Sequence, residues 1–142
     1  MVGTSLDEQE QKIVPRATLC SMQQKIGHCA CGAVSYRIEG EVGGVVSCHC
    51  KSCQRLHGNY NPMVVAEKDA VAITGDVTWY QSSDEAERGF CAQCGSALFK
   101  RQKKGSKILA SVGSLDDVTG LTNIKNVFVE EAGAYYLMPP GE

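Results

Sequence analysis

The chain lacks the long apolar segments and the one-sided charge of membrane or nucleic-acid-binding proteins. No stretch of its 142 residues approaches the length of a membrane span. Residues 1–16 include acidic side chains and no apolar run, which is unlike a secretory signal. The formal net charge of -2 gives no reason to expect a large nucleic-acid interface. These absences predict a cytoplasmic protein with no membrane partner, in which thiols stay reduced.

Internal repeats and low-complexity segments are also lacking, and a chain of this length has room for one domain. The hydrophobic fraction of 43% and the charged fraction of 21% are typical of a globular protein. Residues 1–22 are polar, show no periodicity and contain Pro15, so we expect a flexible tail in which Cys20 binds no metal. The folded domain is predicted over residues 23–142.

Short runs of β-branched and aromatic residues follow one another along the predicted domain. Gly, Asp or Asn bounds many of them, which is typical of strands joined by turns. The runs cover residues 33–38, 43–47, 63–66, 70–74, 77–80, 88–90, 97–99, 107–112, 127–129 and 134–137. Short helical turns are expected within 51–60, 66–70 and 114–119. The pattern predicts an all-β fold, either a sandwich or a barrel.

Cysteine, in contrast, is abundant: the chain has eight, and all but Cys20 lie in clusters. The clusters are a CxC pair, a CxCxxC triplet and a CxxC pair, formed by Cys29 and Cys31, by Cys48, Cys50 and Cys53, and by Cys91 and Cys94. Clustered thiols in a reducing compartment favour metal binding over disulfides. Thiolates are soft ligands that suit zinc.

The two pairs together supply four thiolates, the number that closes a structural zinc site. The triplet supplies three, which leaves a zinc ion with one open position, as in catalytic sites. An alternative zinc ribbon from Cys50, Cys53, Cys91 and Cys94 would exceed the usual ribbon spacing and leave the other clustered cysteines unused. We therefore predict one structural Zn²⁺ and one catalytic Zn²⁺. The structural ligands are Cys29, Cys31, Cys91 and Cys94, and the catalytic ligands are Cys48, Cys50 and Cys53.

Two histidines accompany the triplet. His49 lies between two predicted ligands, so in an extended CxC its ring should point away from the metal and serve packing or hydrogen bonding. His57 lies just beyond the triplet, where it could complete the site or carry a proton, or be an ordinary surface histidine.

Blocks of sequence along the chain resemble the glutathione-dependent formaldehyde-activating enzymes, a family whose fold also includes centromere protein V. The blocks are GHCACGAV at 27–34, CHCKSCQR at 48–55 with Gly58, FCAQCGS at 90–96 with Leu98-Phe99, GSLD at 113–116 and VFV at 127–129. The resemblance covers about residues 25–138. It implies a mainly-β, tent-like sandwich, the same structural and catalytic zinc ligands, and a carbon–sulfur lyase that forms S-hydroxymethylglutathione.

The sequence departs from the family pattern at two places near the triplet. Asn126 stands where members often carry His, and residues 59–62 read NYNP where many members have small residues followed by Phe. These departures point to a different ligand for the loop beside the triplet.

Three hypotheses for function follow. The first is reversible addition of a glutathione-like thiol to formaldehyde or another small aldehyde, with Lys51 and Arg55 either meeting substrate carboxylates or remaining solvated. The second is a non-catalytic zinc-binding module in which a basic run binds nucleic acid or an acidic protein, unless the run is a solvated hairpin. The run comprises Lys100, Arg101, Lys103, Lys104 and Lys107. The third is a thiol-redox or labile-zinc role for the triplet.

Four aromatic residues are expected in the core or in cross-strand pairs rather than in a pocket. They are Trp79, Tyr80, Tyr135 and Tyr136.

Overall fold

The computed structural model describes residues 24–142, which form a mainly-β domain as the sequence predicts. The ten strands are β1 (Gln24–His28), β2 (Ser35–Glu39), β3 (Val45–Cys48), β4 (Asn61–Glu67), β5 (Val71–Thr74), β6 (Thr78–Gln81), β7 (Ala86–Phe90), β8 (Ala97–Gln102), β9 (Lys107–Ser111) and β10 (Asn123–Val127). Within the same residues, helix α1 covers Lys51–His57, and short 3₁₀ turns cover Lys68–Ala70, Val112–Ser114 and Val129–Glu131. The predicted tail, with Cys20, lies outside the described residues.

The strands form two sheets. Strand β2 lies at the centre of a three-stranded antiparallel sheet of order β1-β2-β5. The other strands form a seven-stranded sheet of order β10-β3-β4-β9-β8-β7-β6. Neighbours in this sheet are antiparallel, except that β10 pairs with β3 in parallel. No helix in the described part of the chain has the length and apolar character needed to cross a bilayer.

The two sheets share one core, as expected for a sandwich. Along β2, Tyr36 and Ile38 are buried while the residues between and after them are exposed, which is the alternation of a strand with one face inward. The Tyr36 ring packs edge-on against Phe99 of β8, with ring centroids 4.8 Å apart. The hydroxyl of Tyr36 and that of Ser114 are hydrogen-bonded at 2.5 Å. These contacts join the small sheet to the large one.

Gly27 of β1 allows this close packing, because it faces Tyr36 across the strand pair. A methyl group added at Gly27 would come within 2.4 Å of the Tyr36 ring, which is itself held by Phe99 and Ser114. We expect Gly27→Ala to destabilise the protein by about 1–3 kcal/mol through overpacking. Urea denaturation measures this cost, and Gly43→Ala is the control because a methyl group there meets nothing within 4 Å. Equal stability of the two variants would contradict the argument.

The structure corrects the sequence prediction at several elements. The run at 134–137 forms a turn rather than a strand. Its aromatic side chains instead contact the region around α1: Tyr135 Oη donates to the Gly58 carbonyl at 3.0 Å. Of the predicted run at 127–129, only Val127 belongs to a strand, as the last residue of β10. Phe128 adopts a left-handed conformation with φ of 57° and stops the strand, and Val129 begins a 3₁₀ turn. The helical turn expected within 114–119 lies at Val112–Ser114 instead, and β1 was not predicted.

The basic run covers the end of β8, the turn that follows and the start of β9, as the hairpin interpretation predicts. Arg101 lies 3.6 Å from the centroid of the Trp79 ring and 3.4 Å from the carboxylate of Glu87. Lys107 pairs with Glu67. Two cations of the run therefore have partners within the sheet, and nucleic-acid binding stays a prediction without support from these contacts.

Candidate metal centres and the adjoining cavity

The two cysteine pairs meet in space although they are far apart in sequence. Cys29 and Cys31 follow β1, whereas Cys91 and Cys94 lie between β7 and β8. All four sulfur atoms lie within 4.8 Å of one another. The distance from Cys31 Sγ is 3.6 Å to Cys29 Sγ and 3.8 Å to Cys91 Sγ. Sulfurs bound to one tetrahedral zinc at about 2.3 Å would be about 3.8 Å apart, so this cluster has the dimensions of a zinc site.

Two tight turns place these sulfurs. Gly32 and Gly95 follow the pairs with φ of 82° and 81°, a left-handed conformation that glycine adopts without strain. The amide of Gly95 donates to the Cys91 carbonyl at 2.7 Å, which closes the second turn. The Ala30 amide donates to Ser96 Oγ at 2.8 Å and so connects the two turns directly.

Local hydrogen bonds favour the thiolate form at part of the cluster. At Cys31 the hydrogen bond of the Ala33 backbone lowers the pKa, but desolvation and the neighbouring sulfurs together outweigh it and raise the pKa to about 11. The hydrogen bond with the Ser96 hydroxyl, at 3.1 Å, is the main cause that lowers the pKa of Cys94 to about 5. The Val34 amide donates to Cys29 Sγ at 3.2 Å. Thiolates rather than thiols are the ligands of soft metals, so the surroundings of this cluster suit an ion.

The triplet forms a second cluster where β3 meets α1. Cys48 ends β3, Cys50 is the N-cap residue of α1, and Cys53 lies in the first turn of the helix. The sulfur atoms again lie within 4.8 Å of one another. Cys48 and Cys53 are buried, and Cys50 is half-buried. Cys50 Sγ accepts the Cys53 amide at 3.3 Å, so the capping bond itself holds the cluster together.

A buried arginine contacts the triplet. Arg88 of β7 is only 8% exposed, and its Nη2 donates to Cys53 Sγ at 3.5 Å. A hydrogen bond from Cys48 is the main cause that lowers the pKa of Cys53, and Arg88 lowers it further. The same hydrogen bond raises the pKa of Cys48, which holds the proton that the two sulfurs share. The guanidinium of Arg88 therefore favours the thiolate form of Cys53.

A cavity of about 550 Å³ lies next to the triplet, and two of its lining residues contact the cysteines. Arg88 donates to Cys53, and Met63 packs with Cys48 and Cys53, while the three cysteines themselves do not line the cavity. Its apolar wall comprises Leu56, Met63, Trp79, Phe90, Leu98 and Phe99. His57 and Asn61 add polar groups to the wall. Trp79 packs on Phe99 with ring centroids 6.2 Å apart, so it is a cross-strand residue as expected and a cavity residue as well. Tyr80 also lines the cavity, which corrects the expectation for that residue.

His49 points away from the sulfur cluster, which confirms the prediction. Its ring is fully buried between two hydrogen bonds of 2.9 Å, from Nδ1 to Tyr136 Oη and from Nε2 to Asn126 Oδ1. Asn126 Nδ2 donates to the Pro139 carbonyl, so its Oδ1 faces His49 as an acceptor. We assign the Nε2–H tautomer on this network, with Tyr136 donating to Nδ1. The histidine thus ties the C-terminal segment to the triplet loop.

The other predicted neighbours of the triplet occupy different positions. His57 ends α1 in a half-buried position on the cavity wall, and desolvation lowers its pKa. Among the described residues, His57 is not part of the sulfur cluster. Lys51 and Arg55 are exposed on α1 and do not line the cavity.

Three comparisons with known proteins bear on this geometry. The family model of the glutathione-dependent formaldehyde-activating enzymes matches residues 24–131, which is more than half of the chain. The chain belongs to this family. An uncharacterised lyase of Schizosaccharomyces pombe is 30% identical over 79 residues, a match that covers 55% of this chain and 58% of that protein. The match thus spans less than two thirds of the curated relative's length.

The fold is found in a solved structure as well. A crystal structure of a Rhodobacter sphaeroides protein from structural genomics superposes with a TM-score of 0.59 at 23% identity, covering 72% of this chain and 99% of that chain. This similarity concerns the fold alone. Together with the two-sheet architecture, it supports the sandwich that membership of the formaldehyde-activating family implies.

Sequence reasoning missed Arg88 as a member of the site, and it marked Asn61 only as part of the departing segment 59–62. Both belong to strands, and neither lies in a cysteine cluster. Arg88 follows the small buried Ala86 by two positions in β7, so strand alternation places both on the same face. The signal that the sequence offered for this site was therefore an arginine at an inward-facing position of a strand.

Proposed function

We propose that the protein is a zinc-dependent carbon–sulfur lyase that reversibly adds a glutathione-like thiol to formaldehyde or another small aldehyde. Membership of the formaldehyde-activating family and the lyase name of the yeast relative support this class of reaction. The observation that carries the proposal is the three-cysteine cluster beside a cavity, with Arg88 in contact with Cys53 and in the cavity wall.

The two clusters have different roles in this proposal. Four thiolates satisfy all the positions of a tetrahedral ion, so the first cluster would hold a structural zinc. Its ligands are Cys29, Cys31, Cys91 and Cys94. The triplet would hold the catalytic zinc with Cys48, Cys50 and Cys53, and leave one position for a reactant. Zinc held there supplies a Lewis acid that stabilises negative charge on a reactant atom.

In the reaction itself, the thiol loses its proton, a carbon–sulfur bond forms, and the carbonyl oxygen takes up a proton. His57 is the candidate that carries this proton, because it lies on the cavity wall and burial lowers its pKa, which keeps the imidazole neutral. The reverse reaction uses the same groups in the opposite order.

We expect Cys50→Ser to separate the roles of the two clusters. Serine is itself a preferred N-cap residue, so the start of α1 should be preserved. The zinc content is expected to fall from about two ions per chain to about one. The rate of thiol–aldehyde addition should fall at least about 100-fold, since a Lewis acid contributes several kcal/mol to the barrier. Exchange NMR with glutathione and labelled formaldehyde measures the rate.

The matched control is Ser52→Ala, which changes an exposed residue of the same helix and should alter neither quantity. If Cys50→Ser retained both zinc ions and full turnover, the triplet would not be the active site. A wild-type protein with two zinc ions and no acceleration would instead indicate the non-catalytic module. Zinc release on oxidation would indicate the redox role.

A further inference from the structure

Arg88 has more hydrogen-bonding capacity than the triplet uses. Its contact with Cys53 occupies Nη2, whereas Nε and Nη1 are buried and have no hydrogen-bond partner among residues 24–142. Within those residues Arg88 also forms no ion pair with a carboxylate. A buried guanidinium with unpaired N–H groups is costly unless an anion pairs with it.

A second cation lies beside this arginine. Arg88 is directly opposite Lys100 of β8 on one side and Tyr80 of β6 on the other. Directly paired residues share a face of the sheet, so two positive charges are neighbours there. Like charges in this arrangement repel each other. The nearest acidic residue in the strand, Glu87, faces the opposite side and pairs with Arg101. Apart from the Cys53 sulfur, neither cation has an anionic partner among residues 24–142, so this part of the sheet favours a further negative group from outside the chain.

The cavity around Arg88 defines the rest of the ligand. Its wall is mainly apolar and includes Leu56, Met63 and Phe90, which suits a hydrocarbon or aromatic body. Asn61, also on the wall, has a buried Oδ1 without a partner in the described residues. This oxygen can accept a hydrogen bond from a hydroxyl, the group that forms when a thiol adds to an aldehyde.

We propose that this cavity binds a small monocarboxylate with an apolar body, whose carboxylate pairs with Arg88. The assignment of this compound as a substrate, either the thiol or the aldehyde, rests on the proposed lyase function. Arginine is suited to this role because its planar fork matches the two oxygens of a carboxylate. Arg88 is then the residue that selects the substrate, while Lys51 and Arg55 remain in solvent.

A role for Arg88 in holding Cys53 alone is the competing explanation. Holding Cys53 needs only one N–H group of Arg88. In that case the effect of Arg88 would depend on the metal of the triplet and would be lost with it. Ligand selection instead predicts that carboxylates bind better than neutral molecules of the same shape. The two explanations therefore differ in a binding measurement that requires no turnover.

The test uses the zinc-loaded protein with 3-phenylpropionate and its neutral amide, without thiol or aldehyde. Isothermal titration calorimetry measures the affinity of each compound directly. We expect the carboxylate to bind at least about tenfold more tightly than the amide, the effect of one charged hydrogen-bonded pair. Arg88→Met should abolish this preference, and Arg88→Lys should retain part of it. Arg55→Met is the control and should behave as wild type.

Each outcome decides the proposal. Equal binding of carboxylate and amide to the wild type overturns it, and this result does not depend on whether Arg88→Met folds. Loss of one zinc ion in Arg88→Met with an unchanged preference also overturns it and leaves Arg88 as a positioning residue for Cys53. An Arg88-dependent preference in a protein that does not accelerate thiol–aldehyde addition supports the binding site and contradicts the lyase function. Turnover with glutathione in a protein that shows no carboxylate preference supports the lyase function and contradicts the binding site.

Discussion

Cys91→Ser is expected to lose the folded state and not only a metal ion. Cys91 is 1% exposed and belongs to the core as well as to the four-sulfur cluster. The cluster joins the segment after β1 to the loop between β7 and β8, which belong to different sheets. Structural zinc sites contribute about 10 kcal/mol or more to folding, whereas a domain has only about 5–15 kcal/mol of net stability. Losing one ligand removes a large share of that contribution.

The measurement is thermal unfolding followed by circular dichroism, together with the zinc content of the purified protein. We expect Cys91→Ser to unfold far below the wild type or to be recovered as aggregate. Cys50→Ser is the comparison, because it removes a ligand from the other cluster while it keeps the helix cap. A Cys91→Ser protein with wild-type melting temperature would show that the four-cysteine cluster does not support the fold.

His49→Ala is expected to destabilise the protein strongly. The His49 ring is fully buried and partners both Tyr136 and Asn126. Its removal takes the partner from the half-buried Tyr136 hydroxyl, at about 1–3 kcal/mol, and leaves the Asn126 oxygen with only the bond from Asn123 Nδ2. It also adds a cavity between packed rings. The Tyr60 and Tyr136 rings, 5.0 and 5.6 Å from the His49 ring by their centroids, lose this contact as well. We expect a loss of about 3 kcal/mol or more in the free energy of unfolding.

Urea denaturation compares the free energies of unfolding of His49→Ala and His28→Ala. His28 is half-exposed and pairs with Asp116 at 2.8 Å at the surface, so its loss should cost less than about 1 kcal/mol. The zinc content of His49→Ala should also fall, since the ring supports the loop that carries Cys48 and Cys50. Similar costs for the two histidines would mean that the network around His49 does not stabilise the C-terminal segment.

Asn126 shows why the family pattern alone predicts little about this network. The sequence marks it as a departure at a position where family members often carry His. In the structure, Asn126 accepts from His49 and donates to the Pro139 carbonyl, two bonds that need an acceptor and a donor on one small side chain. Its role is to hold His49 and the C-terminal segment, and it does not line the cavity.

Local sequence patterns determined the mainly-β character and the grouping of the cysteines. Strand alternation is a property of neighbouring residues, as Tyr36 and Ile38 in β2 illustrate. The spacing of the cysteines is also a local property. Four thiolates close a tetrahedral zinc site and three leave one position open, so the number of cysteines already distinguishes the two sites. The clusters found in the structure are the ones that this count predicts.

Only the tertiary structure decided what surrounds the clusters. The side chains of 134–137 resemble a strand in composition, but they contact α1 and His49 because these partners come from distant parts of the chain. Arg88 meets Cys53 and faces Lys100 because of the order of strands in the large sheet, which no local pattern contains. The metal ligands could be predicted from spacing, whereas the cavity and its buried charge depend on how the strands are assembled.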